Sequence, residues 1–344
     1  MRVRPEGIET DALIGSLADG WGFDAESADY VPVGGGSHHW VVRDCEGARG
    51  FVTVDDLDVK AWLGDTRESV FDGLTRAFGT AVALRTSGLA FVVAPIPTSL
   101  GETVRRLGPR HTVALFPFVD GRAGRYGHYA GGARAAIVAM LAELHRATPA
   151  VRSVARSVGL GLPGRRHLEA GLREVSRPWS GGPFSEPARQ ALAAHASDVA
   201  ELLALADRLA AEVERRGGEW VVTHGEPHAA NVMLAGRSRL LLDWDTVALA
   251  PPERDLWMLA DDEGEAADAY ADATGRRLDQ DAVSFFRLAW DLKDLAEYLN
   301  VLRAPHRETA DTARAYEGVT NCVAGRERWA ELLGPPNGGR RGPG

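Results

Sequence analysis

The segment VTHGEPHAANV, residues 222–232, is the feature that most constrains this chain. It gathers an acid, two histidines and an asparagine between two apolar runs, WVV and LLL, that are typical of short buried strands. Soluble proteins seldom place such groups between buried strands unless the groups have a chemical task. We therefore interpret this segment as a functional loop.

The spacing of polar groups around this loop predicts phosphoryl transfer. Glu226 is followed five residues later by Asn231, and Asp243 comes twelve residues after that, at the end of the apolar run 240–242. Phosphoryl transfer requires one acid that orients the attacking hydroxyl and takes its proton, with an amide and a second carboxylate that hold Mg²⁺ against the nucleotide phosphates. Two adjacent strand ends can present all three groups to one point.

The N-terminal part reads as a β-sheet interrupted by a glycine-rich loop, GGGSHHW at residues 34–40. Such a loop can cover nucleotide phosphates, although a plain hairpin turn has the same composition. Phe116 and Phe118, in FPFVDG, are a candidate adenine platform at a hinge, and a buried core pair is a compatible interpretation. The loop residues predicted to contact the nucleotide are Gly34, Gly35, Gly36 and Ser37.

Length and pattern predict two lobes. A chain of 344 residues exceeds one minimal domain, and its 45% hydrophobic residues suffice for a sizeable core. We predict an N-terminal nucleotide-binding lobe over 1–118, a helical catalytic and substrate-binding lobe over 119–334, and a disordered tail over 335–344. The pattern predicts helices over 8–21, 68–85, 135–145 and 188–216, and strands over 30–33, 41–42, 51–54, 89–96, 113–116, 220–222 and 240–242.

A net charge of −9 argues against a nucleic-acid surface and is compatible with a cationic small-molecule partner, although an acidic surface that only confers solubility has the same charge. Two cysteines, Cys45 and Cys322, are too few for a disulfide framework or a zinc site. The sequence shows no signal peptide and no membrane-spanning run, so we expect a cytoplasmic protein. The oligomeric state is left open.

Together these motifs resemble the aminoglycoside phosphotransferase family of kinase-like antibiotic phosphotransferases. The matching runs are HGEPHAAN at 224–231, DWD at 243–245 and PERDL at 252–256. The LAPPERDLW run is most similar to the spectinomycin phosphotransferase branch. The resemblance covers nearly the whole chain and implies an α+β, protein-kinase-like bilobal fold, ATP or GTP as donor, Mg²⁺, and a hydroxyl acceptor.

The resemblance also implies residue roles. Glu226 stands where the family has its catalytic aspartate, and Asn231 and Asp243 match the metal ligands. Asp245 remains open between a second metal contact and support of the site. Supporting roles are implied for the remaining motif residues, with His224 bracing the loop, His228 packing within it and Asp255 anchoring its backbone.

Two departures from the family pattern stand out. Glu226 is one methylene longer than aspartate but has the same acceptor chemistry and a similar unperturbed pKa, so its position matters more than its type. The third strand has Thr53 where a lysine should contact the phosphates and a helix acid, such as Glu68 or Asp72. Lys60, in a following loop, can reach back into the cleft, yet an arginine or an extra Mg²⁺ can replace the lysine, and Lys60 also fits an ordinary surface position.

Acidic residues near the C-terminus are candidates for binding a cationic acceptor, because related enzymes bind polycationic sugars with carboxylates on C-terminal helices. Intrahelical salt bridges and solvation are the alternative explanation. The candidates are Asp261, Asp262, Asp291, Asp294 and Tyr298, the last three along one edge of an apolar helix stripe formed by Phe285, Leu288, Leu292, Leu295, Leu299 and Leu302.

The sequence as a whole predicts an Mg²⁺-dependent O-phosphotransferase that inactivates an aminocyclitol or another hydroxylated antibiotic. Two alternatives remain open at this point. One is a metabolic kinase of the same fold acting on a sugar, a choline-like alcohol or a nucleoside. The other is a nucleotide-binding pseudokinase that keeps the fold without turnover.

Overall fold

The computed structural model describes residues 1–5, 7–127, 132–260, 264–324 and 329. The chain forms two compact units, one of Met1–Gly159 with Gly218–Val283 and one of Leu160–Gly217 with Ser284–Gly344. The predicted lobe boundary at Phe118 falls within the first unit, and the division at that residue stays a prediction. The predicted disordered tail, 335–344, lies outside the described residues.

Groups of consecutive strands and groups of consecutive helices follow one another along the chain. The strands are β1 (Ala25–Val31), β2 (His38–Asp44), β3 (Arg49–Asp56), β4 (Arg105–Leu107), β5 (His111–Pro117), β6 (Arg122–Ala123), β7 (Val221–Thr223), β8 (Val232–Ala235), β9 (Ser238–Leu241) and β10 (Ala248–Ala250). The helices are α1 (Thr10–Trp21), α2 (Arg67–Thr86), α3 (Ala133–Arg146), α4 (Thr148–Val151), α5 (Arg165–Glu174), α6 (Ser185–Ala194), α7 (Ala196–Arg216), α8 (Glu253–Leu256), α9 (Glu265–Thr274), α10 (Gln280–Arg303) and α11 (Ala310–Val323).

The N-terminal sheet of the first unit is antiparallel, in the order β1-β2-β3-β5-β4. Alternation along the strands places Trp40, Val42, Val52 and Val54 in one core cluster with α1 residues such as Leu17. On β3 the opposite face carries Thr53 and Asp55, both buried. This second face of the sheet carries the polar residues that contribute to the candidate site.

Helix α2 packs beside the loop that follows β3. A capping box between Thr66 and Ser69 begins the helix, and Gly73 lets Leu63 of the loop approach closely, since a Cβ there would lie 2.9 Å from the Leu63 carbonyl oxygen. Leu63 is buried together with Leu74 of the helix. The loop is therefore held in one place between helix and sheet.

Two small sheets position the polar loop, and they differ from the predicted arrangement. Strand β7 pairs with β10, whereas β9 pairs with β8, so the two strands predicted to bracket the loop belong to separate sheets. The predicted strand over 89–96 is wrong: only Val92 forms a bridge, to Leu241. Pro95 and Pro97 have no N–H to donate, which prevents this segment from continuing a ladder.

The second unit is helical over its described residues. The predicted helix over 188–216 is two helices, α6 and α7, separated at His195. The predicted apolar stripe of α10 is buried, with each of its members at most 3% exposed: Phe285, Leu288, Leu292, Leu295, Leu299 and Leu302. Burial of this stripe confirms the helical period of that segment.

Candidate active site

The loop after β7 is anchored by one buried carboxylate. Asp255 accepts hydrogen bonds from the backbone N–H groups of His224 (2.8 Å) and Gly225 (2.6 Å), and lies 3.0 Å from His145 Nε2. Burial by itself raises the pKa of Asp255, but the His145 hydrogen bond and nearby positive charge outweigh it, so the pKa is lowered. Asp255 thus stays charged and fixes the course of the loop.

Gly225 makes the sharp turn before Glu226. Its φ of +99° lies in the region that favours glycine, and a Cβ would overlap the guanidinium of Arg254. Arg254 itself donates to the Thr223 hydroxyl (2.8 Å) and to the Thr246 carbonyl (2.9 Å). The glycine therefore lets the loop pass directly over a half-buried arginine.

His224 links the loop to the segment that carries Asp243. Its Nδ1 accepts from the Glu226 backbone N–H (3.2 Å), which leaves Nε2–H to donate to the Leu242 carbonyl (2.8 Å). Burial lowers the pKa of His224 to about 4, so the ring is neutral at pH 7. A neutral ring with this tautomer satisfies both bonds at once.

Asn231 completes the contact between the two segments. Its side-chain NH₂ donates to the Glu226 carbonyl (3.0 Å), and its backbone carbonyl accepts from the Leu242 N–H (2.8 Å). The next residue, Asp243, has a φ of +64°, an uncommon conformation for a residue with a side chain. The structure thus gathers Glu226, Asn231 and Asp243 within one short backbone network, although their strands lie in separate sheets.

The oxygen atoms here fit a hard divalent cation. With its NH₂ held by the Glu226 carbonyl, Asn231 keeps its amide oxygen for another contact, and Asp243 is an exposed residue next to it in the network. The surrounding protein and the charges of Asp245 and Glu226 raise the pKa of Asp243 well above its ordinary value, which a cation would reverse. Two protein oxygens with phosphate and water oxygens are a common Mg²⁺ environment. Across the described ranges, no three His, Cys, Asp or Glu side chains form a metal cluster by themselves.

Lys60 is buried at this site and is not an ordinary surface lysine. Its side chain is fully buried, and its Nζ lies 2.5 Å from Asp245 Oδ2, 3.0 Å from Asp55 Oδ1 and 3.1 Å from Ser37 Oγ. Burial opposes the charge, but Asp245 and Asp55 outweigh it and raise the pKa of Lys60. Asp245 is thus an ion-pair partner of this lysine.

Thr53 is buried on β3, and its hydroxyl lies 3.3 Å from Nδ1 of His39. The His39 ring stacks on Phe51 at 5.1 Å, and a Cβ at Gly34 would lie 3.2 Å from its Nε2. Burial first, then nearby positive charges, lowers the pKa of His39 to about 3. A neutral imidazole therefore lies next to Gly34 of the glycine-rich loop.

The remaining nucleotide-site candidates lie on the glycine-rich loop and at the end of β5. Gly34, Gly35 and Gly36 are exposed, and Ser37 is buried and donates to Asp55 Oδ1 (2.6 Å). Phe116 is a core residue in edge contact with Phe78, and Arg49 covers the Phe118 ring at 4.0 Å. The role of both phenylalanines as an adenine platform stays a prediction.

The predicted acceptor residues are only partly described. Asp261 and Asp262 lie outside the described residues. Asp291, Asp294 and Tyr298 on α10 are half-buried, and Asp291 Oδ2 accepts from the indole of Trp329 (3.2 Å). Burial raises the pKa of Tyr298. Their role in binding an acceptor stays a prediction.

His228 lies beside the other loop residues, with its Nε2 3.5 Å from the Asn231 side-chain nitrogen and its ring 5.0 Å from that of Tyr126. Sequence reasoning missed Asp55 and His39. Asp55 had one signal, since it stands two residues after Thr53 and so on the same strand face. His39 had none beyond its place in the glycine-rich segment.

The family model described as the phosphotransferase enzyme family, APH, matches residues 29–286. That span contains the glycine-rich loop, Lys60, Asp55 and the segment from Thr223 to Asp255, but not the acceptor candidates on the later part of α10. The chain belongs to this family. It is accordingly a phosphotransferase with a hydroxyl acceptor, and the predicted family is confirmed.

The individual relatives agree with this assignment. Protein StrN of Streptomyces griseus is 28% identical over 269 residues, which is 76% of this chain and 80% of that protein. Spectinomycin phosphotransferase, APH(9)-Ia, solved with ADP and spectinomycin, has a TM-score of 0.68 at 17% identity over 94% of this chain and 100% of its own. A microcompartment-associated aminopropanol kinase has a TM-score of 0.57 at 16% identity, over 95% and 99% of the two chains. These structures confirm the α+β kinase-like fold.

Within the described parts of the chain, no helix combines the length and apolar character needed to cross a bilayer. The predicted cytoplasmic location stays a prediction.

Proposed function

We propose that this phosphotransferase moves the γ-phosphoryl group of ATP or GTP, with Mg²⁺, to a hydroxyl of a cationic, hydroxylated antibiotic of the aminocyclitol or aminoglycoside class. The observation that carries the proposal is the backbone network that gathers Glu226, Asn231 and Asp243. These are the three group types that phosphoryl transfer requires.

In this proposal Glu226 orients the acceptor hydroxyl and receives its proton as the new O–P bond forms and the bond to the leaving nucleoside diphosphate breaks. Its backbone N–H is held by His224 and its carbonyl by Asn231, so the half-buried side chain extends from a fixed origin. Asn231 and Asp243 would hold Mg²⁺, which would neutralise phosphate charge. Because this backbone is fixed, the position of the Glu226 carboxylate depends only on its side-chain torsions, even though the side chain is one methylene longer than that of aspartate.

Support for the acceptor class comes from charge and from relatives. The chain carries a net charge of −9, which favours a cationic acceptor. The fold is shared with an enzyme named for spectinomycin. A small amino alcohol is the second candidate acceptor, because the fold is also shared with an aminopropanol kinase.

The test is phosphate-donor consumption by the purified full chain with ATP or GTP, across aminocyclitols, aminoglycosides, simple amino alcohols and nucleosides. Addition of EDTA is expected to stop turnover and excess Mg²⁺ to restore it. Turnover of amino alcohols alone would replace the antibiotic assignment with a metabolic one. Absence of turnover with every acceptor would count against the proposal.

The matched variants are Glu226→Gln, which keeps shape but cannot take the proton, and Glu265→Gln, an exposed glutamate on α9. A positioned proton acceptor contributes about 10²- to 10⁴-fold to rate, so kcat of Glu226→Gln is expected to fall by that factor while the control stays within about twofold. A Glu226→Gln enzyme as active as the control would show that another group takes the proton.

A further inference from the structure

Lys60 raises a question that the proposed chemistry does not answer. It is one of two lysines among 39 basic residues, and it is 1% exposed. Burying an ammonium with two carboxylates costs more than packing apolar side chains of the same volume. Such a buried ionic cluster next to the glycine-rich loop therefore indicates a functional site.

The neighbours of Lys60 in the loop after β3 are themselves held by contacts with other parts of the first unit. Trp62 of the same loop accepts a hydrogen bond from Arg156 Nη2 through its carbonyl (2.5 Å), and its ring lies 5.0 Å from Lys60 Nζ. Leu63 packs against α2 at Gly73. The loop that carries Lys60 is therefore fixed by the contacts of Trp62 and Leu63, so the buried position of the ammonium follows from the packing of the loop.

The ammonium lies directly below the glycine-rich loop. A Cβ at Gly36 would stand 3.8 Å from Nζ, and Ser37 of that loop both donates to Asp55 and accepts from Lys60. The charge of Asp243 also acts on Lys60. Phosphates placed between the glycine-rich loop and a metal at Asp243 would therefore meet this ammonium.

Asp55 occupies the role that a helix acid was predicted to fill. It is fully buried and 3.0 Å from Lys60 Nζ, and its Oδ2 has no hydrogen-bond partner among the described residues. The predicted partner Glu68 instead pairs with Arg106 at 2.6 Å, with its side chain 80% exposed, and Asp72 is exposed. The lysine and its acid thus both come from β3 and the loop that follows it.

We propose that Lys60 is the cation that binds the nucleotide phosphates, replacing the lysine missing at Thr53, and that Asp55 and Asp245 orient it. An ammonium has three N–H donors, and here it donates hydrogen bonds to Asp245 and Ser37 and forms an ion pair with Asp55. The contact with Ser37 is the longest at 3.1 Å, and a phosphate oxygen takes its place when nucleotide binds. Asp245 is then an orienting residue and not a second metal ligand. This inference rests on the proposed nucleotide-dependent function.

The experiment is equilibrium binding of ATP–Mg, GTP–Mg, ADP and adenosine to the purified full chain, without acceptor. A charged hydrogen bond of this kind contributes about 10- to 100-fold in affinity. In Lys60→Met, ATP–Mg affinity is expected to fall by that factor while adenosine affinity stays within about twofold. Lys293→Met, which removes the other lysine of the chain, is the matched control and is expected to keep both affinities.

Loss of Lys60 leaves two buried acids unpaired, so Lys60→Met/Asp55→Asn removes one of them and is measured in parallel, each variant after a thermal melt confirms folding. An unchanged ratio of ATP–Mg to adenosine affinity in either folded variant would overturn the inference and leave Lys60 a structural ion pair. Failure of the unsubstituted protein to bind either nucleoside triphosphate would overturn the proposed function itself.

Discussion

Asp255 provides the sharpest test of how the loop that carries Glu226 is held. Its two carboxylate oxygens accept from two backbone N–H groups at 2.8 and 2.6 Å, and His145 Nε2 lies 3.0 Å away. In Asp255→Asn one of those oxygens becomes an NH₂ that faces a backbone donor. At least one buried N–H then loses its partner, which costs about 1–3 kcal/mol.

Loss of the buried charge beside His145 adds to this cost, so the free energy of unfolding is expected to fall by about 3 kcal/mol in total. For a folding unit of this size that corresponds to a fall in Tm of about 10 °C. The measurement is a thermal melt of Asp255→Asn against Asp268→Asn, an exposed aspartate on α9 whose change is expected to stay within about 0.5 kcal/mol. Equal melting temperatures would refute the anchoring role.

The pH dependence of the same pair gives a second readout. The folded pKa of Asp255 lies below its ordinary value of 3.8, so its stabilising contribution is complete above that pH and is lost as the pH falls towards the folded pKa. The difference in unfolding free energy between the original protein and Asp255→Asn should therefore stay constant from pH 8 to pH 5. A difference that shrinks within that range would mean that Asp255 is not charged in the folded state.

Two other changes test the loop independently. Gly225→Ala must adopt a φ of +99° and displace Arg254, so it is expected to lower stability by about 1–3 kcal/mol and to reduce turnover, whereas Gly15→Ala, in open space on α1, should be neutral or stabilising in urea unfolding. His224 has a folded pKa of about 4 against 6.5, so it contributes stability above pH 6.5 that is lost as the pH falls towards 4, about 3 kcal/mol at most. His224→Gln should show a shallower loss over that interval in urea titrations, and an identical slope would contradict a buried neutral ring.

The sequence predicted the fold class and family well because both depend on local patterns. The apolar stripe of α10 follows one helical period, and every predicted member is buried. The predictions were wrong where tertiary contacts determine the secondary structure. The segment 89–96 has the composition of a strand, yet it forms only a single bridge, at Val92. The backbone N–H groups of Val93 and Ile96 donate to two different segments, at the carbonyls of Leu241 and Leu115.

The same reasoning explains why the residue types of the site were predictable, whereas the residues that pack behind Asp255 were not. Glu226, Asn231 and Asp243 lie within eighteen positions of one another, so their spacing alone indicated a common site. His145 and Tyr270, which meet at 2.8 Å behind Asp255, are separated by 125 residues and leave no local pattern. Only the folded chain shows that they belong to the same support.

The role proposed for Lys60 would let a phosphate-binding lysine come from outside the usual motif position. The face of β3 that carries Thr53 also carries Asp55 two residues later, so a carboxylate at Asp55 can fix an ammonium that arrives from the next loop. A lysine on the strand itself would need an acid from α2, and the acids of that helix are at the surface. A buried Asp55 on this face is therefore consistent with a strand that has no lysine at Thr53, because Asp55 pairs with an ammonium from the loop instead. For that reason a site that departs from its family at one motif position can still present a complete set of charges.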